Sequence, residues 1–372
     1  MALLKVIQST VFKKLPKQST DLPDDEKVSV NAGESFDLIS AQLERGHYLI
    51  KLSNDISPIG ATGYFFAGHV QVEGLSVDVP SKIVRTRKDG KKWFAQVDSG
   101  SEFFVGRGVS YAGNLGLMNV MDDAAGQYNP GDHRSTYGFW ADFIFPTAQC
   151  ESNGRFNCLN TYDRAFFTFG FLQYAAHVPN GDFVKFFCKL LETPLGKGYF
   201  SELVVQDGNI VRETTRGQLV LTNNVTTEPL LKYLNPTLND VEEQEVIQAA
   251  KFVHWVINSQ EHRDIQVECG IDHFKKAMQK YATWYPLDGV PDKVCLVIAD
   301  IHHQGRAKVS AVKVALDTNG DYKTAYQNLL EIGQISYSER IKTLKKAIAD
   351  LEKAGILGTK VYSKSQKDFI PD

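Results

Sequence analysis

Cysteine is scarce. The chain carries five, Cys150, Cys158, Cys188, Cys269 and Cys295, in 372 residues. An odd number without paired C-x-x-C spacing matches neither a zinc site nor a disulfide framework. Cys150 and Cys158 are close enough in sequence to bridge across a hairpin; the other reading makes all five small buried thiols. No metal and no cofactor is expected. A basic excess is also missing: 41 Lys and Arg face 44 Asp and Glu, for a net charge of −3. The electrostatic footprint of a nucleic-acid binder is therefore absent, whereas a weakly acidic surface does not repel a cationic polymer. No apolar run reaches the length of a membrane span. The N-terminal MALLKVIQSTVFKKL has too short an apolar stretch for a secretory signal, so a signal was removed, or the chain leaves by another route, or it stays inside.

The length favours two or three domains. Residues 1–76 read as all-β: TVFKKL, EKVSV, ESFDLISAQL, HYLIKL and GYFFAGHVQVEG are short runs rich in Val, Ile and aromatics, separated by LPDD, NAGE and ERGH. Five short strands in so few residues suggest a small barrel. Residues 77–110 are polar and basic with DG and SG turns, and read as a linker with a hairpin in which RTRKDGKK is a solvated turn. From Leu115 the spacing predicts helix, in GLMNVMDDAAGQY and again from Asp132 through RSTYGFWADFIF. Pro146 interrupts that helix or opens a fresh turn, which leaves Glu151 at a helix C-terminus. A helix capped near Asn180 follows, then a hairpin around Asp207–Gly208, then five or six helices from Asn239 to about residue 358, and a tail over 359–372. DTNGDYKTAYQN has its glycine and twelfth residue wrong for a calcium loop and reads as a turn capping a helix.

The segment CESNGRFNCLNTYDRAFFTFGFLQ, residues 150–173, carries the chemistry. Glu151 ends a helix, Ser152, Asn153 and Gly154 turn the chain, and the polar, aromatic run that follows suits a small twisted sheet. A helix, a sheet and a helix then enclose a groove, with Glu151 on one wall and Asp163 and Thr168 opposite. Cleavage of a glycosidic bond needs such a pair: a carboxylic acid kept protonated by apolar walls, and a second carboxylate to stabilise the sugar cation or activate water. A separation of roughly 6.5–9.5 Å predicts inversion and about 5 Å retention. The alternatives are plainer. Glu151 can be a solvated helix end, although the macrodipole disfavours an anion there, and Asp163 can be a turn residue. Most of the aromatics in AFFTFGFLQY read as packing. In ADIHHQGRAK, Asp300, His303 and Gln304 close an apolar helix and can line the same groove. The adjacent histidines point about 100° apart and make poor joint metal ligands.

CESNG, NTYDRAFFTFG and GFLQ together resemble the lysozyme superfamily, in which a helix-terminal Glu precedes a hairpin and a Gly-x-x-Gln turn. VFKKLPKQSTDLPDDEKVSVNAGE and GYFFAGHV resemble bacterial Src-homology-3-like domains of cell-wall enzymes. The resemblance implies an α+β chain, a small all-β SH3-like barrel (1–76) followed by a mainly α, lysozyme-like domain (111–358) with a small β-hairpin sheet. It implies Glu151 as general acid, Asp163 as base or electrostatic partner, and Thr168 as a holder of the water. Tyr162, Gln173, Asp300, His303 and Gln304 would bind substrate. The expected activity is a muramidase-like glycoside hydrolase acting on peptidoglycan, with secretion or a cell-wall or periplasmic target. Chitosan or chitin is the competing polysaccharide, with Asp142, Asp163, Asp182 and Asp300 as its carboxylates. A non-catalytic wall-binding protein and a cysteine peptidase using Cys150 with His177 or His302 are the other classes.

Overall fold

The computed structural model describes residues 2–44, 46–74 and 79–372. The expected domain boundary at residues 76 and 77 lies outside the described residues. The N-terminal part corrects the barrel expectation. Seven antiparallel strands, β1 (Leu3–Val6), β2 (Thr10–Lys13), β3 (Lys27–Val30), β4 (Ser35–Glu44), β5 (His47–Ile56), β6 (Gly60–Phe66) and β7 (Val70–Glu73), form one sheet in the order β3-β2-β6-β5-β4-β1-β7. It is not a small SH3-like barrel. Its central hairpin pairs two ten-residue strands, and β3 and β7 end the ladder as edges instead of pairing to close it. Alternation along HYLIKL sends Tyr48, Ile50 and Leu52 inward, where they meet Leu4, Phe12, Leu38 and Phe65 in a core of their own.

A second sheet of seven strands follows the chain as a meander: β8 (Val84–Asp89), β9 (Lys92–Val97), β10 (Phe103–Tyr111), β11 (Asn114–Asn119), β12 (Leu159–Asn160), β13 (Thr168–Phe169) and β14 (Tyr174–Ala175). Residues 84–97 thus form a hairpin within the sheet that ends at the Glu151 segment. The expected helix over GLMNVM is the strand β11. Gly116 shows why: a Cβ there would sit 2.7 Å from the backbone of Thr161 and Tyr162, so this glycine lets the strand press against the following loop.

The expected long helix from Asp132 is divided into α1 (Arg134–Tyr137), α2 (Phe139–Phe143) and α3 (Phe145–Ser152). Gly138, at φ 57° and ψ −137°, breaks it first, and Pro146 lies in the opening turn of α3, where its missing N–H costs nothing. FLQYAAH opens no helix. Gly170 at φ 91° and Gln173 at φ 52° turn the chain back into β14. The next helices are α4 (Asp182–Glu192) and α5 (Pro194–Tyr199). The strands β15 (Leu203–Gln206), β16 (Asn209–Thr214) and β17 (Gly217–Val220) form a small sheet whose first turn holds Asp207 and Gly208, both at positive φ.

The C-terminal part is helical: α6 (Glu228–Leu234), α7 (Glu243–Asn258), α8 (Gln260–Trp284), α9 (Asp292–Gln304), α10 (Val309–Leu316), α11 (Tyr322–Glu331) and α12 (Ser338–Lys353). Asp321 caps α11 by accepting from the backbone N–H of Lys323 and Thr324. Residues 359–372 are no loose tail. They form the hairpin of β18 (Lys360–Ser363) and β19 (Asp368–Pro371), which buries Tyr362 and Phe369 and takes a hydrogen bond from Trp140 Nε1 to Asp368 at 2.7 Å. One large core runs through both the second sheet and the helices. At its centre Phe252 of α7 meets the rings of Phe167, Phe169, Phe183, Phe186, Phe187 and Phe200. Leu195 of α5 packs against both this core and that of the first sheet.

Candidate functional site

Glu151 occupies the last turn of α3, and Asn153, in the left-handed conformation at φ 55°, ends the helix. The side chain is 14% exposed. Arg340 of α12 reaches it, with Nη1 2.8 Å from Oε1, and His303 Nε2 of α9 lies 3.6 Å from the same oxygen. Oε2 has no partner among the described residues. Arg340 also donates through Nη2 to Asp300 at 2.7 Å, and Arg306 Nη2 donates to the other oxygen of Asp300 at 2.6 Å. Asp300 and Arg306 are fully buried. Burial pulls the Arg340 guanidinium down, but the Glu151 and Asp300 charges more than reverse this and leave it raised. Glu151, Arg340, Asp300 and Arg306 therefore form one ionic chain joining α3, α9 and α12.

A pocket of about 340 Å³ opens beside Glu151. That is the lower end of the range for small-molecule sites, about 300–1,000 Å³. Gln173, His303 and Gln304 line it with Glu151, as do Asp182 at the start of α4, His273 and Tyr281 of α8, and His302. Gln173 is held by donating from Nε2 to the carbonyls of Gly170 (2.9 Å) and Cys158 (3.3 Å). His302 bonds through Nε2 to the Tyr285 hydroxyl at 2.7 Å and packs against Tyr281 and Trp284. Burial lowers the pKa of both His302 and His303; for His303 the nearby Glu151 opposes the shift only in part. Asp182 Oδ2 lies 2.7 Å from His273 Nδ1. Burial pushes that carboxyl up, yet the His273 hydrogen bond and neighbouring positive charges leave it below the usual carboxylate range.

Of the residues expected from sequence, the fold brings Glu151, Gln173, His303 and Gln304 to one pocket. It does not bring Asp163, Thr168, Tyr162 or Asp300 there. Asp163 is tied into its own turn, accepting from Ala165 N at 2.8 Å and from Asn160 Nδ2 at 3.1 Å. Thr168 is buried in β13 between β12 and β14. Tyr162 leans on Tyr111 with ring centroids 6.0 Å apart. Asp300 stands behind the pocket as the partner of two arginines. In AFFTFGFLQY, Phe167, Phe169, Phe171 and Tyr174 are buried in the main core.

Asp182, expected only as one of the carboxylates of the chitosan reading, does line the Glu151 pocket. Sequence reasoning does not find His273 or Arg340. For His273 one signal is available, since it and Tyr281 are eight residues apart on one helical face. Arg340 lies 189 residues from Glu151 and left none.

All five cysteines are free. Burial pushes the Cys150 thiol up to about 12, and its Sγ donates to the Arg340 carbonyl at 3.4 Å, so it has no thiolate to attack with at neutral pH. Among the described residues no group of three or more His, Cys, Asp or Glu is placed to hold a metal ion, and no helix is long and apolar enough to cross a membrane. No family model, no curated protein and no solved structure matches the chain.

Proposed function

We propose that the chain is a glycoside hydrolase that cleaves an amino-sugar polysaccharide at the Glu151 pocket, with Glu151 as proton donor. The observation that carries this reading is the placement of Glu151: Arg340 holds Oε1, no hydrogen bond reaches Oε2 among the described residues, and the residue lines a pocket that also holds Asp182. Proton transfer to a leaving glycosidic oxygen requires a carboxyl within hydrogen-bond reach of it, and Glu151, with one oxygen unbonded, is open to such contact. The other carboxylate at that pocket is Asp182; the expected Asp163 does not line it.

Peptidoglycan is the first substrate to test, cut in the manner of a muramidase, which puts the site of action at the cell wall. One observation favours a second reading. Among the described residues no lysine or arginine lines the pocket, whereas Glu151 and Asp182 do. Such a lining suits the cationic sugars of chitosan better than the carboxylate-bearing units of peptidoglycan.

The test is digestion of both polymers by the wild type and by Glu151→Gln, with mass analysis of the released ends. The wild type releases fragments from one polymer, and Glu151→Gln lowers that rate by about 10²–10⁴. Equal rates for the two proteins, or retained polymer binding with no release by either, would sink the enzyme reading in favour of a binding protein.

A further inference from the structure

The Asp182–His273 pair is an arrangement at the pocket that Glu151 does not explain. Asp182 is the first residue of α4, and His273 lies on α8. The carboxyl of Asp182 stays below its ordinary range, so it has no proton to share, and the hydrogen in the 2.7 Å contact belongs to His273 Nδ1. The tautomer that this bond selects carries its lone pair on Nε2. That nitrogen has no partner among the described residues, and the ring lines the Glu151 pocket. Asp182 does not act alone, because its Oδ2 is bonded to His273; its Oδ1 lies 4.0 Å from Lys185 Nζ, beyond hydrogen-bond reach. Between the two halves of the pocket stands His303, with its ring edge-on to His273 at 5.5 Å and Nε2 3.6 Å from Glu151.

We propose that His273, oriented by Asp182, is the general base that activates the hydrolytic water, and that the pocket works by single displacement with inversion at the anomeric carbon. This rests on the reading of Glu151 as proton donor. The water oxygen bonds to the anomeric carbon as the carbon–leaving-oxygen bond breaks. The water proton goes to His273 Nε2, and the Glu151 proton goes to the leaving oxygen. Asp182 keeps the ring in the tautomer that exposes Nε2 and stabilises the imidazolium that forms; it is a positioning residue. A double displacement needs a carboxylate nucleophile about 5 Å from the acid, whereas Asp182 already accepts from His273 at 2.7 Å and serves to orient that ring.

The experiment uses the full chain, two substrates and five proteins: chitosan or peptidoglycan, whichever is cleaved, and a dinitrophenyl glycoside of the same sugar; wild type, Glu151→Gln, His273→Gln, His273→Ala and Asp182→Asn. A dinitrophenolate leaves without protonation. Glu151→Gln therefore falls by about 10²–10⁴ on the polymer and regains most of that loss on the aryl glycoside, while His273→Gln falls by a similar factor on both. Asp182→Asn falls on both, with KM unchanged. External imidazole raises the rate of His273→Ala but not of Glu151→Gln, which a purely structural role for His273 would not produce. Proton NMR of the first product formed by the wild type shows inversion, a readout that stands even where a variant fails to fold. Retention of configuration overturns the proposal, as does His273→Gln within about threefold of the wild type while Glu151→Gln is inactive; the Glu151 reading survives both. A wild type inactive on both substrates, or Glu151→Gln equal to it on the polymer, removes that reading and this proposal together.

Discussion

Asp300 and Glu245 are both fully shielded from water, and the molecule treats them in opposite ways. Asp300 meets a guanidinium at each oxygen, Arg340 at 2.7 Å and Arg306 at 2.6 Å. Glu245, in the first turn of α7, meets no cation among the described residues. Its Oε1 accepts from the Thr161 hydroxyl and from Leu117 N–H at 3.0 Å, and its Oε2 is an orphan. Burial pushes this carboxyl up to about 7, and the Thr161 and Leu117 bonds recover only part of the shift. Burial alone therefore does not set the fate of an acid. A charge partner lets Asp300 hold three helices around Glu151, whereas hydrogen bonds alone leave Glu245 near its titration point, where α7 meets the second sheet.

The contrast can be broken most sharply at Asp300. Replacing it with Asn leaves Arg306 and Arg340 buried and short of a counter-charge, and urea unfolding is expected to show a loss of about 3–5 kcal/mol. A loss near ~1 kcal/mol would mean that the guanidiniums find water and that the cluster adds little. Glu245 is expected to show itself through pH. Its folded value of about 7 lies above the ordinary 4.5, so the folded state keeps a proton that the unfolded chain releases. The stabilisation is full below pH 4.5 and is lost progressively as pH rises to about 7, by roughly 3 kcal/mol. Glu245→Gln should flatten that slope; an unchanged slope in unfolding curves between pH 4.5 and 8 would exclude Glu245 as its source.

Two smaller effects sharpen the same contrast. Arg306→Met combined with Asp300→Asn should cost less than the sum of the single changes, by about 0.5–3 kcal/mol, because the two groups share one ionic chain. Thr161→Val should cost about 1 kcal/mol and move the upper end of the Glu245 titration to higher pH, since the hydroxyl is one of the donors that hold it down.

Legibility from the sequence followed the same line between local and distant causes. The hairpin at Asp207–Gly208, the Asp321 cap and the end of α3 at Glu151 were readable, because turn residues and caps act on their own neighbours. GLMNVM read as helix and is a strand, because its partner strand and the Thr161 loop under Gly116 decide it. The N-terminal strands were recognisable one by one, but their number and order depend on pairing across the region, as between Leu3 and Glu73 at the sheet edge. At the site, Glu151 and Gln173 were visible within 24 residues of sequence. Asp163, the nearest candidate carboxylate, is spent on its own turn, while Asp182 arrives through the packing of α4 on α8.

The sequence by itself determined which side chains are able to do chemistry here and where most short-range turns fall, since residue type and neighbouring backbone preferences suffice for that. Tertiary structure decided which carboxylates share a pocket, which arginine holds Glu151, and whether a buried acid keeps a partner. Those outcomes are set by distances between residues far apart in the chain, and no local preference encodes them.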